Sequence, residues 1–332
     1  GANNTAVGKN SLAANTTGVQ NTAVGAIAGD ALTTGSYNAV FGQSALSSDT
    51  LGSASVAIGH NALGTQNFTS ATDAYNTAVG TLAGLAVTTG IQNTLIGGLA
   101  GDATDDGSYN VAVGYKALSA NCGDLNTCVG YTAGLLVTGQ DNTLIGSGAG
   151  DALTSGSRNQ LIGHNATAAG VTNTDATVIG TDVTGVGSGN FTFGHGTTDS
   201  NIAHGATSIT APSDQRYKED IVTATAGLSF IKDLRPVTFK WKKEKDLPTS
   251  HRSYVEGSET RTMNDYTNHG FIAQEVKTVI DAHSEIKDGF DMWATDNQAD
   301  GGRQRIGDAS LMPIMVKSIQ ELSTALDAAL AR

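Results

Sequence analysis

A string of the form Asn-Thr-Ala-Val-Gly, or a near relative, ends at Gly8, Gly25, Gly42, Gly59, Gly80, Gly97, Gly114, Gly130, Gly146, Gly163, Gly180 and Gly194. Successive intervals are 17, 17, 17, 21, 17, 17, 16, 16, 17, 17 and 14 residues. A period this short and this regular means that each unit is too small to bury itself and must stack on its neighbours. β-Branched residues punctuated by Gly read as short strands, whereas a helix would tolerate neither the spacing nor the glycines. The chain from residue 1 to about 205 is therefore expected to form a parallel β-solenoid of about twelve rungs, with one or two strands per coil. At roughly 4.8 Å per rung, such a stack is about 55 Å long.

The repeat also assigns positions. A large apolar residue precedes every Gly (Val7, Val24, Phe41, Ile58 and their equivalents), and it is expected to point into the coil. The Gly is expected to turn the chain at positive φ. Asn4, Asn21, Asn38, Asn76, Asn93, Asn110, Asn126, Asn142 and Asn159 recur at one offset and are expected to form an amide ladder along the stack. The position two before the Gly is apolar as well (Ala23, Val40, Leu95, Cys128), so both strand faces call for burial. One narrow coil covers one face, and a homotrimer is the expected way to cover the other.

Composition divides the chain near residue 210. Residues 1–210 hold 35 of the 42 glycines, no Pro, Glu, Met or Trp, and Lys9, Lys116 and Arg158 against 12 Asp. Residues 211–332 hold 16 Lys/Arg, 19 Asp/Glu, both tryptophans and all four prolines. The net charge of −12, with no basic stripe, argues against nucleic-acid binding. No apolar run is long enough to cross a bilayer, so no membrane insertion is expected. Gly1 is not an initiator Met and no leader-like run follows it, which is read here as a fragment or processed chain. Cys122 and Cys128 are expected as free buried thiols, with Cys128 in place of a core Ala. His60, His164 and His195 follow rung glycines and are read as solvated turn residues. The turn acids Asp102, Asp105 and Asp106 lack a calcium-repeat pattern, so neither metal nor cofactor is called for. Tyr37, Tyr75, Tyr109, Tyr115 and Tyr131 flank the rungs and suit either seam packing or sugar stacking.

The second segment opens with Ser213-Asp214-Gln215-Arg216-Tyr217-Lys218. Pro236-Val237-Thr238-Phe239-Lys240-Trp241-Lys242 and Gly270-Phe271-Ile272-Ala273-Gln274-Glu275-Val276 follow in that order. Met312, Met315, Ile319, Leu322, Leu326 and Ala329 are spaced 3, 4, 3, 4, 3, a helical heptad seam for self-association.

The rungs resemble the left-handed β-roll of trimeric autotransporter adhesin heads and related phage tail-fibre repeats. Residues 213–332 resemble the C-terminal intramolecular chaperone of endosialidases and other tail fibres, a self-cleaving serine peptidase family. Asp281 stands where that family often has Pro. The resemblance implies a domain that trimerises, assists the upstream β-structure and then cuts beside its serine. It assigns Ser213 as nucleophile and Lys218 as base, with Pro212 and Asp214 flanking the scissile region. A Ser hydroxyl needs such a base, and Lys serves only when burial or a neighbouring cation lowers its pKa. Arg216 is a candidate cation, whereas Asp214 would oppose activation. Which bond beside Ser213 breaks is open. Activity is at most a single turnover on the chain itself, with no external substrate.

The expected organisation is mainly β: residues 1–205 a β-roll, 206–212 a linker, and 213–332 an α+β chaperone and auto-peptidase domain ending in a coiled-coil helix. The expected function is a trimeric phage tail-fibre or spike segment, located in the virion and assembled in the host cytoplasm. Its partners would be a bacterial surface receptor of glycan type and an upstream tail protein; no ligand-binding residue is assigned. Rival readings are a bacterial trimeric adhesin head and an ice- or surface-binding solenoid. A glycan-cleaving spike is disfavoured because residues 1–210 contain no Glu for a carboxylate pair.

Overall fold

The computed structural model describes residues 1–251, 253–286, 290–295 and 304–332. The chain divides into two compact units, Gly1–Asp214 and Gln215–Arg332. No helix among the described residues is long and apolar enough to cross a membrane.

The first unit is a parallel β-solenoid. Three-residue strands, from Thr5–Val7 and Thr22–Val24 through to Gln160–Ile162, stack in strict register, so that Thr22 pairs with Ala39, and Ala39 with Val56. Two longer strands, Thr177–Thr181 and Asn190–His195, continue the parallel order. The last strand, Thr198–Ala203, turns back antiparallel, and Asn201 also exchanges both backbone hydrogen bonds with Thr210 at 2.7 Å.

The repeat Asn sets this register. Each side-chain oxygen accepts the backbone N–H of its counterpart one coil on, as in Asn21 N–H to Asn4 Oδ1 at 2.8 Å and Asn110 N–H to Asn93 Oδ1 at 2.9 Å. Seven of the nine amide groups donate to the Gly carbonyl that closes the next turn, as Asn93 Nδ2 does to Gly107 at 2.9 Å, whereas Asn159 Nδ2 donates to the Asn173 carbonyl and Asn110 Nδ2 is left without a partner. From Asn21 to Asn159 these amides are buried, and where both ends are satisfied the desolvation penalty of an amide in a core is removed. The rung glycines adopt φ near +135°, for example +139° at Gly25, where a Cβ would lie 2.5 Å from the Gly42 carbonyl oxygen. Only Gly meets both demands.

One expectation is reversed. The residue before each Gly faces outward: Val7, Phe41, Ile58, Ile96, Ile145 and Ile179 are exposed. The middle strand residue points inward, and Ala23, Val40, Ala57, Leu95, Cys128, Leu144 and Leu161 are completely buried. The reason is the two-residue alternation of a strand. Asn21 and Ala23 share a face, so once the Asn ladder turns inward, Thr22 and Val24 must turn outward. Ala28, Ala45 and their equivalents three residues past each Gly line the opposite wall of the core. The next core positions compensate one another in volume. Four of the five coils with Gly four past the rung Gly carry an apolar residue three further on, as in Gly29/Leu32 and Gly84/Val87, the exception being Gly101 with buried Thr104. Coils with Leu at the first position carry a polar one, as in Leu46/Asp49 and Leu63/Gln66. A Cβ on Gly84 would meet Leu63 Cδ2 at 2.9 Å and Leu95 Cδ1 at 2.7 Å, so the Gly makes room for neighbouring leucines.

The 21-residue interval contains a substitution in the Asn ladder and its repair. Ser55 stands where Asn belongs, too short to reach the next coil. Gln66 fills the gap. Its amide donates to Ser55 Oγ at 3.1 Å and to Asp49 Oδ2 at 2.7 Å, and its oxygen accepts from Asn76 Nδ2 at 2.8 Å. All four residues are fully buried.

The second unit is smaller. Helices α1 (Leu228–Asp233), α2 (Ala273–Ala282) and α3 (Leu311–Leu330) gather around Phe230, Val276, Ile280, Met292, Leu311 and Ile314. The strand Val237–Phe239 pairs antiparallel with Asn268–Gly270, and Trp293–Thr295 with Gln304–Ile306.

Candidate functional site

Pro212 and Ser213 are exposed in irregular chain and Asp214 is half-buried, at the end of the first unit. Gln215–Tyr217 forms one 3-10 turn at the start of the second, closed by the Lys218 N–H on the Gln215 carbonyl at 3.0 Å. Arg216 and Lys218 are exposed.

The two downstream strings fall on adjoining elements. Val237–Phe239 is a strand, and Phe239 meets Trp241 edge to face with centroids 5.3 Å apart. The second string supplies the partner strand's last residue, Gly270, and then the first turn of α2. Arg235, just before the first string, forms a two-pronged ion pair with Glu275 in the second, with Nε to Oε2 at 2.9 Å. The guanidinium holds the Glu275 carboxyl below its ordinary range. Lys243 and Lys245 converge on Glu259 and hold its carboxyl down at about 2.

Two arrangements in this unit had no signal in the sequence. His283, at the end of α2, is 11 % exposed. It bonds Glu285 Oε1 through Nδ1 at 3.0 Å and Asp233 Oδ2 through Nε2 at 2.9 Å, and it lies edge-on to Phe230. Hydrogen bonds donated to the Glu285 and Asp233 carboxylates favour the charged imidazolium and raise its pKa above that of an ordinary His. Glu321, in the middle of α3, accepts the Leu228 N–H at 2.8 Å and so caps α1. Gly227 permits this, because a Cβ there would lie 2.6 Å from the carboxylate. Both pairs join residues far apart in sequence, and no local pattern announces them.

Two surfaces complete the inventory. Helix α3 buries Leu311, Ile314 and Ser318 inside the unit and leaves Met312, Met315, Ile319, Leu322 and Leu326 exposed. The solenoid exposes its Val/Ile/Phe row along the outward strand face. Cys122 and Cys128 are free and buried, with burial raising both thiol pKa values. Among the described residues, no group of three or more His, Cys, Asp or Glu is placed to hold a metal ion.

Residues 213–285 match the family model described as the chaperone of endosialidase. No curated protein and no solved structure matches the chain at a significant level. The match begins at Ser213 and spans both downstream strings, while the repeats lie outside it. Residues 213–285 are thus similar to the endosialidase chaperone, and along the chain they follow a parallel β-solenoid.

Proposed function

We propose that the chain is the distal part of a trimeric phage tail fibre or spike, which attaches the virion to a bacterial surface through the solenoid. The observation that carries the reading is the order of parts: a register-repeating β-stack followed directly by an endosialidase chaperone domain. A stack of near-identical coils can pair one coil out of register at little cost, and its contacts are mostly non-local and slow to form. A domain that associates first would align three chains before their stacks zip.

The exposed seam of α3 and the outward Val/Ile/Phe row are the two faces offered for association. Exposed apolar surface on this scale favours burial against further copies. Cleavage follows in this scheme. Lys218 is solvent-exposed in one chain, so the desolvation that would make it a base for Ser213 comes from assembly. Ser213 Oγ attacks a neighbouring peptide carbonyl as its proton passes to Lys218 Nζ; the peptide C–N bond then breaks, the freed amine takes that proton, and an ester is left on Ser213. The acyl intermediate is then released by water, which severs the chaperone. Cutting after folding leaves the stack kinetically trapped, since unfolded chains lose their means of realignment.

Intact-mass measurement and light scattering on one preparation test both halves. The expected result is a trimer and a fragment ending or beginning beside Ser213, with the fragment absent from Ser213→Ala and Lys218→Ala. Cleavage that persists in Ser213→Ala removes the serine from the mechanism. A soluble, monodisperse trimer made from a chain lacking 213–332 sinks the chaperone role.

A further inference from the structure

The residue before each ladder Asn forms its own row along the stack. The strand register fixes the alignment: Ala39, Val56, Thr77, Thr94 and Val111 pair in sequence, and the row residue lies two positions before each of them. Side chains on neighbouring coils of this row reach one another, as the Arg158–Asp175 ion pair at 2.7 Å demonstrates. Three successive alternate coils carry tyrosine here: Tyr37, Tyr75 and Tyr109, with Ala54 and Gln92 between them. Two coils separate each tyrosine from the next, roughly 9.6 Å.

Three features set this row apart. The tyrosines are 61 %, 57 % and 46 % exposed, the largest apolar faces on this edge of the coils. Each occupies the left-handed region, at φ +64°, +51° and +62°, where a bulky side chain is disfavoured and Asn or Asp is at ease. Of the other coils of the row, Asn3, Asp141 and Asp175 follow that preference, while Gln20, Ala54, Gln92, Leu125 and Arg158 share the left-handed backbone without it. Alternation is the third feature. Tyr115 and Tyr131 lie one coil apart on a different row and close face to face, with centroids 5.8 Å apart. Tyrosines two coils apart leave a gap that a ring of a ligand can span from one platform to the next.

Repeated aromatic faces at this interval match an extended β-1,4-linked glycan. In such a chain alternate sugars present the same face, and the two-sugar repeat is close to two coils. Tyrosine suits the task because its face is apolar and its hydroxyl remains wet. Charge narrows the class further. With 12 Asp against three Lys and Arg over residues 1–210, the surface repels polyanions and favours an uncharged chain. Exposed Gln92 and Asp73, beside the central tyrosine, offer hydrogen-bonding groups for sugar hydroxyls. We infer that Tyr37, Tyr75 and Tyr109 form a linear track for an uncharged β-1,4-linked glycan, a reading that rests on the proposed attachment function and names its ligand class.

The test is calorimetric titration of the full chain with cellohexaose, chitohexaose, cellobiose and maltohexaose. Tyr→Asn is the substitution of choice, because Asn relieves the backbone and keeps the fold. The β-1,4 hexasaccharides are expected to bind. Cellobiose, which reaches one platform, should bind at least tenfold more weakly, and the α-1,4-linked maltohexaose should not bind. Each Tyr→Asn change should cost about fivefold, and Tyr75→Asn most, because it splits the track; Tyr131→Asn should be neutral. Equal binding of maltohexaose, no saturation with either β-1,4 hexasaccharide, or full affinity in the triple variant overturns the track. A changed oligomeric state of the triple variant by light scattering also overturns it, because the row is then an interface. Adsorption to a panel of whole bacteria separates the two readings. Cells bound equally by wild type and triple variant leave attachment standing without the track. Hexasaccharide binding without adsorption to any cell leaves the track standing without attachment.

Discussion

Replacing Gln66 by Leu keeps the side-chain volume and removes both polar ends at the repaired coil. Three buried groups then lose a partner: Asp49 Oδ2, Ser55 Oγ and Asn76 Nδ2. Asp49 retains the Gly52 N–H at 2.9 Å, and Asn76 retains the Gly90 carbonyl at 2.8 Å, so neither is stripped completely. An orphaned buried polar group costs about 1–3 kcal/mol, with charged groups at the upper end. Allowing for the surviving bonds, the variant should lose about 4 kcal/mol, close to a thousandfold in the folding equilibrium. Urea denaturation of the full chain, followed by far-UV circular dichroism, measures this as a lowered midpoint. Gln92→Leu, at an exposed position, serves as the control and should shift the midpoint little. Gln66→Glu adds a sign test. It sets a second carboxylate against Asp49, so its destabilisation should be greatest at neutral pH and shrink as pH falls and one of the pair takes a proton. A loss below about 1 kcal/mol in Gln66→Leu would refute the repair, since it would mean the three groups were never dependent on the amide.

Other outcomes follow from the same structure. His283 is held between Asp233 and Glu285 with its pKa raised, so its contribution is complete below the unfolded value of about 6.5 and is lost as pH rises through the higher folded value. His283→Gln should therefore flatten the stability profile of the second unit on the alkaline side of that range, as read by thermal melts across pH. Asn93→Leu breaks two ladder hydrogen bonds in a buried position and should cost about 2–3 kcal/mol in the same urea assay. In the proposed trimer, Ile319→Asp on the exposed seam of α3 should leave the fold of each chain intact and lower the particle mass in light scattering; an unchanged particle mass would remove this face from the interface.

Much of the solenoid can be read from the chain, because its restraints are local. The Asn interval sets the register, the Gly interval sets the turn, and the two together define a coil. The inward and outward faces were harder. Side-chain size points Val24 and Ile58 to the core, yet the strand alternation anchored by Asn21 sends them outward, so polar satisfaction outranked bulk. Gln66 was illegible for a different reason. Its value depends on Asp49, Ser55 and Asn76 at once, and nothing in the string Gly-Thr-Gln-Asn announces that this Gln takes over the role of the missing Asn. In the second unit the strings that mark the family lie on the strand and on α2. Glu321 reaches α1 from 93 residues away, a contact that only packing reveals.

The final antiparallel strand gives the stack a stop. Every coil before it is built to receive another coil running in the same direction, and an open end of that kind would accept a neighbour's coil as readily as its own. At Thr198–Ala203 the chain reverses, and Thr210 covers part of the new edge. Further growth by parallel pairing at that end is thereby refused. Extent from this end is then a property encoded in the gene, one coil per duplication, rather than an outcome of concentration or assembly conditions. The molecule is a ruler whose graduations can be added or deleted by recombination, while its end mark stays in place.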